Sequence, residues 1–116
     1  MSNLFDLTGK LALVTGSSRG IGKELARGLA DAGASIVLHG RDADRLAATA
    51  KEFSEVYGPQ RIHSACFDVT DDQAVRTNIG KIEEAIGALD ILVNNAGIQH
   101  RVPLLDLAVQ DWQRVL

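Results

Sequence analysis

The sequence predicts an α/β fold, an open doubly wound parallel sheet with helices on both faces. Three observations carry that expectation. Short apolar runs alternate with longer segments of helical period, four times over. Each changeover is marked by glycine, proline or a capping residue. The composition of the 116 residues, 46% hydrophobic but only 4% aromatic with 11 glycines, suits tight-turned α/β units better than a β-sandwich. No repeat, linker or low-complexity stretch divides the chain, so a single domain over 1–116 is expected.

The elements follow in order. Lys10–Thr15 is a short apolar run and reads as a buried parallel strand. The glycine-rich turn Gly16–Gly22 comes next. The helix after it carries Ile21, Leu25 and Leu29 at i, i+4 and i+8 as its expected inward face, with Ala26 and Ala30 beside them and Gly33 as its stop. Ala34–His39 is the second strand. Asp42 is placed to cap the second helix, whose inward face would be Leu46, Ala50, Phe53 and Tyr57, ended by Gly58-Pro59. Arg61–Phe67 is a third strand of mixed character, with Cys66 expected as a small core residue. Thr70-Asp71-Asp72-Gln73 has the spacing of a capping box and opens a helix with Val75, Ile79, Ile82 and Ile86 on one face, stopped by Gly87. Leu89–Asn94 is the fourth strand, and Val109–Leu116 a last helical pattern. Right-handed crossovers between parallel strands give the sheet order 3-2-1-4, with the topological switch point between strands one and four.

Composition also excludes. A net charge of −3 without a basic stripe argues against nucleic acid. The apolar runs are far too short to span a bilayer, and the first residues lack the basic head and apolar core of a secretory leader. One cysteine rules out an internal disulfide framework, and neither Cys66 nor the histidines have metal-ligand spacing, so no metal site is expected. A cytoplasmic location is the resulting expectation.

Gly16, Gly20 and Gly22 sit between a strand and a helix, and that context gives them meaning. Glycines there permit the tight turn, the approach of backbone to a pyrophosphate and close helix–strand packing, while unpaired helix N–H groups face the anion. The spacing Thr-Gly-x-x-x-Gly-Ile-Gly, begun at Thr15, resembles that of the short-chain dehydrogenase/reductase family. Asp68-Val69 after strand three and Asn94-Asn95-Ala96-Gly97 after strand four are similar to two further signatures of that family, in the right order. The resemblance implies a Rossmann-type fold, a nicotinamide dinucleotide cofactor, and hydride transfer to or from a carbonyl or alcohol carbon. It implies cofactor contacts at Gly16, Ser18, Arg19, Gly20, Ile21, Gly22, Arg41, Asp68, Val69, Asn95, Ala96 and Gly97.

Strand two runs out in His39-Gly40-Arg41, with no carboxylate for the ribose hydroxyls that an NAD site needs, because Asp42 is assigned to capping. Arg41 there and Arg19 in the glycine loop are suited to grip a 2′-phosphate, so NADP is expected over NAD. The family's catalytic Ser and Tyr-x-x-x-Lys are missing. The one tyrosine, Tyr57, is followed four residues on by Arg61 and reads as a helix-end packing residue. The resemblance therefore makes this chain the cofactor-binding half of a Rossmann enzyme, stopping before the catalytic half, and a homo-oligomer, tetramer or dimer, when complete. Asn94 to Arg101 resembles the gluconate 5-dehydrogenase branch, which implies a sugar acid substrate, with Gln99, His100 and Arg101 bordering its cleft. Two other readings stand beside this one: a non-catalytic dinucleotide-binding module, and a flavodoxin-like interaction domain, against which Thr15-Gly16 and the Asn94–Gly97 run argue.

Overall fold

A computed structural model describes residues 6–95. Its elements are β1 (Leu11–Val14), α1 (Gly20–Asp31), β2 (Ser35–Gly40), α2 (Ala43–Tyr57), a 3-10 turn (Pro59–Arg61), β3 (Ile62–Cys66), α3 (Asp72–Ala85) and β4 (Ile91–Val93). The last helical pattern, with Trp112, lies outside the described residues, as do Ala96, Gly97 and the loop carrying Gln99, His100 and Arg101.

The four strands form one sheet in the order β3-β2-β1-β4, all pairs parallel, as the alternation of elements predicts. Side chains along β1 alternate between two cores. Leu11 and Leu13 join Val37, Phe67, Val69 and the α3 residues Val75, Ile79 and Ile82 on one face. Ala12 and Val14 join Ile36, Leu38, the α1 residues Ala26 and Ala30, and Leu46 and Phe53 of α2 on the other. Helices α1 and α2 thus cover one face and α3 the other, which puts the switch point between β1 and β4.

The face of α1 departs from expectation. Ile21 is 73% and Leu25 43% exposed, and Leu29 is half-buried. The buried stripe is instead Gly22, Ala26 and Ala30. Small residues win because the helix lies so near the sheet that a Cβ at Gly22 would collide with the Gly16 carbonyl. A leucine stripe would hold it away. In α2 the expected face largely holds: Leu46 and Phe53 are buried, Ala50 and Tyr57 pack against the core, and Thr49 joins them.

Two capping details differ in outcome. Asp42 caps α2, its carboxylate accepting from the Asp44 and Arg45 N–H groups, both at 3.1 Å. At α3 the cap is Asp71, which accepts from Ala74 N–H at 3.1 Å, rather than Thr70. Thr70 is drawn into a turn in which both its N–H and its hydroxyl donate to Asp68. Ile86 follows the last turn of α3 and is 39% exposed. Cys66 is exposed, not buried, because β3 is an outer strand of the described sheet and its C-terminal end faces solvent.

Candidate functional site

The C-terminal ends of β1 and β2 open into a cleft of about 340 Å³ lined by Gly16, Ser18, Arg19, His39, Gly40, Arg41, Asp42, Arg45, Val69 and Thr70. It stands at the carboxyl edge of the strands, where open α/β sheets bind ligands. Arg19, just before α1, stands on its wall. Arg19, the N-cap residue of α1, makes no capping hydrogen bond, and the first turn of α1 holds no acid. Helices α2 and α3 have both an Asp cap and an acidic first turn. The leading N–H groups of α1 are therefore left to whatever occupies the cleft.

The loop Gly16–Arg19 is braced from three sides. From β2, the His39 Nδ1 accepts from Gly16 N–H at 2.9 Å, the His39 carbonyl accepts from Ser17 N–H at 2.8 Å, and the Ser17 hydroxyl accepts from His39 N–H at 2.9 Å. From β4, the Val93 carbonyl accepts from Thr15 N–H at 3.0 Å and Asn95 Nδ2 donates to the Gly16 carbonyl at 3.2 Å. From α2, the Thr49 hydroxyl donates to the Ser18 carbonyl at 2.7 Å. Gly16 and Gly20 both have φ of +64°, the left-handed region that glycine enters without penalty. The loop is thus fixed by contacts within the chain itself.

Of the residues singled out by sequence, Gly16, Ser18, Arg19, Arg41 and Val69 line the cleft, with Asp68 beside it. Arg41 is exposed and lies 3.7 Å from the Asp68 carboxylate. The Thr70 hydroxyl and N–H hold that carboxylate below its usual range, with Arg41 adding to the effect. Gly20 opens α1, Ile21 is exposed beside it, and Gly22 faces Gly16. Asn95 reaches the same glycine from the far side.

Residues 10–116 match the family model for short chain dehydrogenase. The chain belongs to the short-chain dehydrogenase family. It is 48% identical over 114 residues to gluconate 5-dehydrogenase of Gluconobacter oxydans, covering 98% of this chain and 44% of that protein. It is 42% identical over 116 residues to 5-keto-D-gluconate 5-reductase of Escherichia coli K12, covering 100% of this chain and 45% of that one. Among solved structures it resembles gluconate 5-dehydrogenase from Burkholderia cenocepacia in complex with NADP and tartrate, with a TM-score of 0.73 and 47% identity, covering 96% of this chain and 43% of that one. The chain therefore spans less than half the length of these relatives.

Within this short-chain dehydrogenase chain, the cleft also takes in His39, Gly40, Arg45 and Thr70, which the sequence did not mark as site residues, and Thr49 braces its loop from outside the lining. Arg45 lies in the first turn of α2, just after the Asp42 cap, so a basic residue next to the β2 exit was a usable signal. Gly40 lets Ser18 come close, since a Cβ there would lie 2.9 Å from the Ser18 Oγ. His39 and Thr49 act through backbone groups distant in sequence, which no local pattern marks. Tyr57 takes no part in the cleft. Its hydroxyl donates to Asp31 at 2.6 Å, at the opposite end of α1. Burial, then the Asp31 bond, pushes its pKa up, the reverse of what a proton-transferring tyrosine needs. Among the described residues no group of His, Cys, Asp or Glu side chains is arranged to hold a metal. No helix among them is long and apolar enough to cross a membrane.

Proposed function

We propose that the chain is the cofactor-binding half of an NADP-dependent oxidoreductase acting on a sugar acid of the gluconate/5-ketogluconate class. One observation carries the cofactor choice. The cleft at the α1 N-terminus is rimmed by Arg19, Arg41 and Arg45, while Asp42, the acid nearest the β2 exit, is engaged as the α2 cap. An NAD site needs a free carboxylate there; a 2′-phosphate needs guanidinium groups. The pair Arg41–Asp68 does not stand in the way. An ion pair this exposed is screened by solvent and weak, so a dianionic phosphate displaces the Asp68 contact readily.

The residues fit the group they would hold. Gly16, Gly20 and the α1 N–H groups cradle the pyrophosphate, with Gly22 letting the helix approach. Ser18, Arg19 and Arg41 take the 2′-phosphate side, joined by Arg45. Asp68 and Val69 would flank the adenine and Asn95 would stand toward the nicotinamide, while the contacts expected at Ala96 and Gly97 lie outside the described residues. When bound, the nicotinamide accepts or gives the hydride. This chain's own residues bind and orient it; acid–base groups for the substrate hydroxyl are to come from outside the chain. The sugar acid class is supported by relatives whose names specify gluconate or 5-ketogluconate. A cytoplasmic, homo-oligomeric enzyme is the form we propose for the whole protein.

The test is titration of the full chain with NADPH and NADH by calorimetry. Arg41→Ala is expected to weaken NADPH about tenfold or more, the loss of one charge-assisted contact, and to leave NADH unchanged. Equal effects on both cofactors would remove the basis for the NADP assignment. A second reading, a dinucleotide-binding module without catalysis, is favoured by the lack of any Tyr-x-x-x-Lys in the sequence. NADPH-dependent reduction of 5-ketogluconate by the whole protein discards it.

A further inference from the structure

We infer that His39 is a positioning residue for the phosphate loop, and that its imidazole makes dinucleotide binding depend on pH. The inference rests on the dinucleotide reading above and adds a residue and a control to it. The ring is 1% exposed and spans two backbone groups. Its Nδ1 lies 2.9 Å from Gly16 N, and its Nε2 lies 2.8 Å from the Phe67 carbonyl oxygen. Gly16 N–H has only a proton to give, so Nδ1 must present a lone pair. The Phe67 carbonyl can only accept, so Nε2 must carry the hydrogen. The two contacts together admit one state of the ring, the neutral Nε2–H tautomer. Rotating the ring by half a turn would forfeit both bonds. The Phe67 ring, packed edge-on with centroids 4.5 Å apart, resists that rotation.

The consequence falls on the first glycine of the loop. The Gly16 peptide is held at its N–H by His39 and at its carbonyl by Asn95, which fixes the left-handed turn from both sides. A second proton on the imidazole would go to Nδ1 and set one N–H against another. Either the ring or Gly16 must then move, and the α1 N-terminus loses its approach to the anion. The charged groups about the ring are Arg41 on the strand exit and Asp68 beyond β3, with Arg19, Asp42 and Arg45 on the walls of the same cleft. Arg41 disfavours the imidazolium and Asp68 favours it. Burial disfavours it most, so the ring stays neutral at neutral pH and takes its proton only in acid.

Three readouts on the full chain test this. Long-range ¹H–¹⁵N spectra of the histidine-labelled chain should give the Nε2–H tautomer for His39 at neutral pH. NADPH titrations should be run on the parent, His39→Asn and His39→Leu between pH ~7.5 and ~5. Asn Oδ1 can accept from Gly16 N–H but does not titrate in this range; Leu offers no acceptor. His39→Leu is expected to bind about tenfold more weakly at neutral pH, the cost of an N–H left without a partner, and His39→Asn to recover most of that loss. On acidification the parent should lose more affinity than His39→Asn. Protonation of the 2′-phosphate is common to both and cancels in the comparison. An Nδ1–H tautomer, or equal acid profiles for parent and His39→Asn, overturns the inference while the cofactor reading stands. A parent that binds neither NADPH nor NADH at any pH overturns the cofactor reading and the coupling with it.

Discussion

Two glycines on α1 should respond to the same substitution with opposite signs. Gly22 lies in the first turn of α1 and Gly28 further along it, and Ala would raise the propensity of either by up to about 1 kcal/mol. At Gly28 an added Cβ meets nothing within 4 Å. At Gly22 it would overlap the Gly16 carbonyl oxygen and lie 2.6 Å from the Asn95 amide nitrogen. The Asn95 side chain can swing away. The Gly16 carbonyl is backbone in a braced turn and cannot, while an alanine methyl has no rotamer in which to escape. The helix must therefore lift from β1, loosening the fully buried Ala26. We place the overpacking cost at the upper end of its usual range, about 3 kcal/mol, giving a net loss near 2 kcal/mol for Gly22→Ala once propensity is returned. Gly28→Ala should gain about 0.5–1 kcal/mol. Urea unfolding of the full chain followed by circular dichroism measures both, with Gly80→Ala on α3, also unobstructed, as a second control. Equal stability changes at positions 22 and 28 would refute the argument that contact with Gly16 sets the helix–sheet distance. The Gly22 variant should also bind NADPH more weakly, because the turn that yields is the phosphate loop itself.

Other outcomes follow from single contacts. Thr49→Val, nearly isosteric, removes the hydroxyl that donates to the Ser18 carbonyl and should cost about 1–2 kcal/mol in urea unfolding, with a matching loss of NADPH affinity in calorimetry. Arg61 donates from one Nη to both the Ala30 and Ala34 carbonyls at 2.6 and 2.8 Å, closing the C-terminal end of α1. Arg61→Ala should lower stability by about 2–3 kcal/mol and leave the NADPH to NADH preference unchanged. Stability should also fall with acid through His39. Its folded pKa is depressed, so below the ordinary value near 6.5 the unfolded chain takes up a proton that the folded chain refuses. The contribution is complete above that value and is lost between it and the lower folded pKa. His39→Asn should flatten this part of the pH–stability curve measured by denaturation.

The sequence made the sheet legible because parallel strands buried on both faces must be apolar along their whole length, and Leu11–Val14 and Ile36–Leu38 are. It misled at α1. There the hydrophobic period selected Ile21, Leu25 and Leu29, whereas the sheet selected the smallest side chains one position away. Periodicity reports which residues are apolar; it does not report how close the neighbouring backbone comes. The glycines at 16, 20 and 22 contained that information, since a helix that begins on a close backbone approach cannot then present leucines to the same sheet. The cleft was legible where charge or glycine marked it, at Arg19, Arg41 and the loop. It was hidden where a polar residue works through a distant main-chain group. His39 reads in sequence as the end of a strand, and its role exists only because β1, β2 and the segment after β3 converge on it.

The contrast among helix starts shows where local stability yields to the cleft. Helices α2 and α3 begin with an Asp cap and an acidic residue in the first turn, the arrangement that satisfies leading N–H groups and complements the helix dipole. Helix α1 has neither, and places arginine at the cap. By ordinary magnitudes it forgoes about 1 kcal/mol for the cap and a further 0.3–1 for the acid. A carboxylate at residue 19 would stabilise the empty chain, yet it would set a negative charge where the loop's N–H groups and three arginines converge. Arg19→Asp should thus raise the stability of the ligand-free chain while abolishing NADPH binding, and NADPH should stabilise the parent against heat but not the variant. A variant that NADPH stabilises against heat as it does the parent would mean that the uncapped end of α1 is incidental to anion binding. The opposed responses follow only if the same N–H groups serve both as the helix's unmet need and as the ligand's anchor.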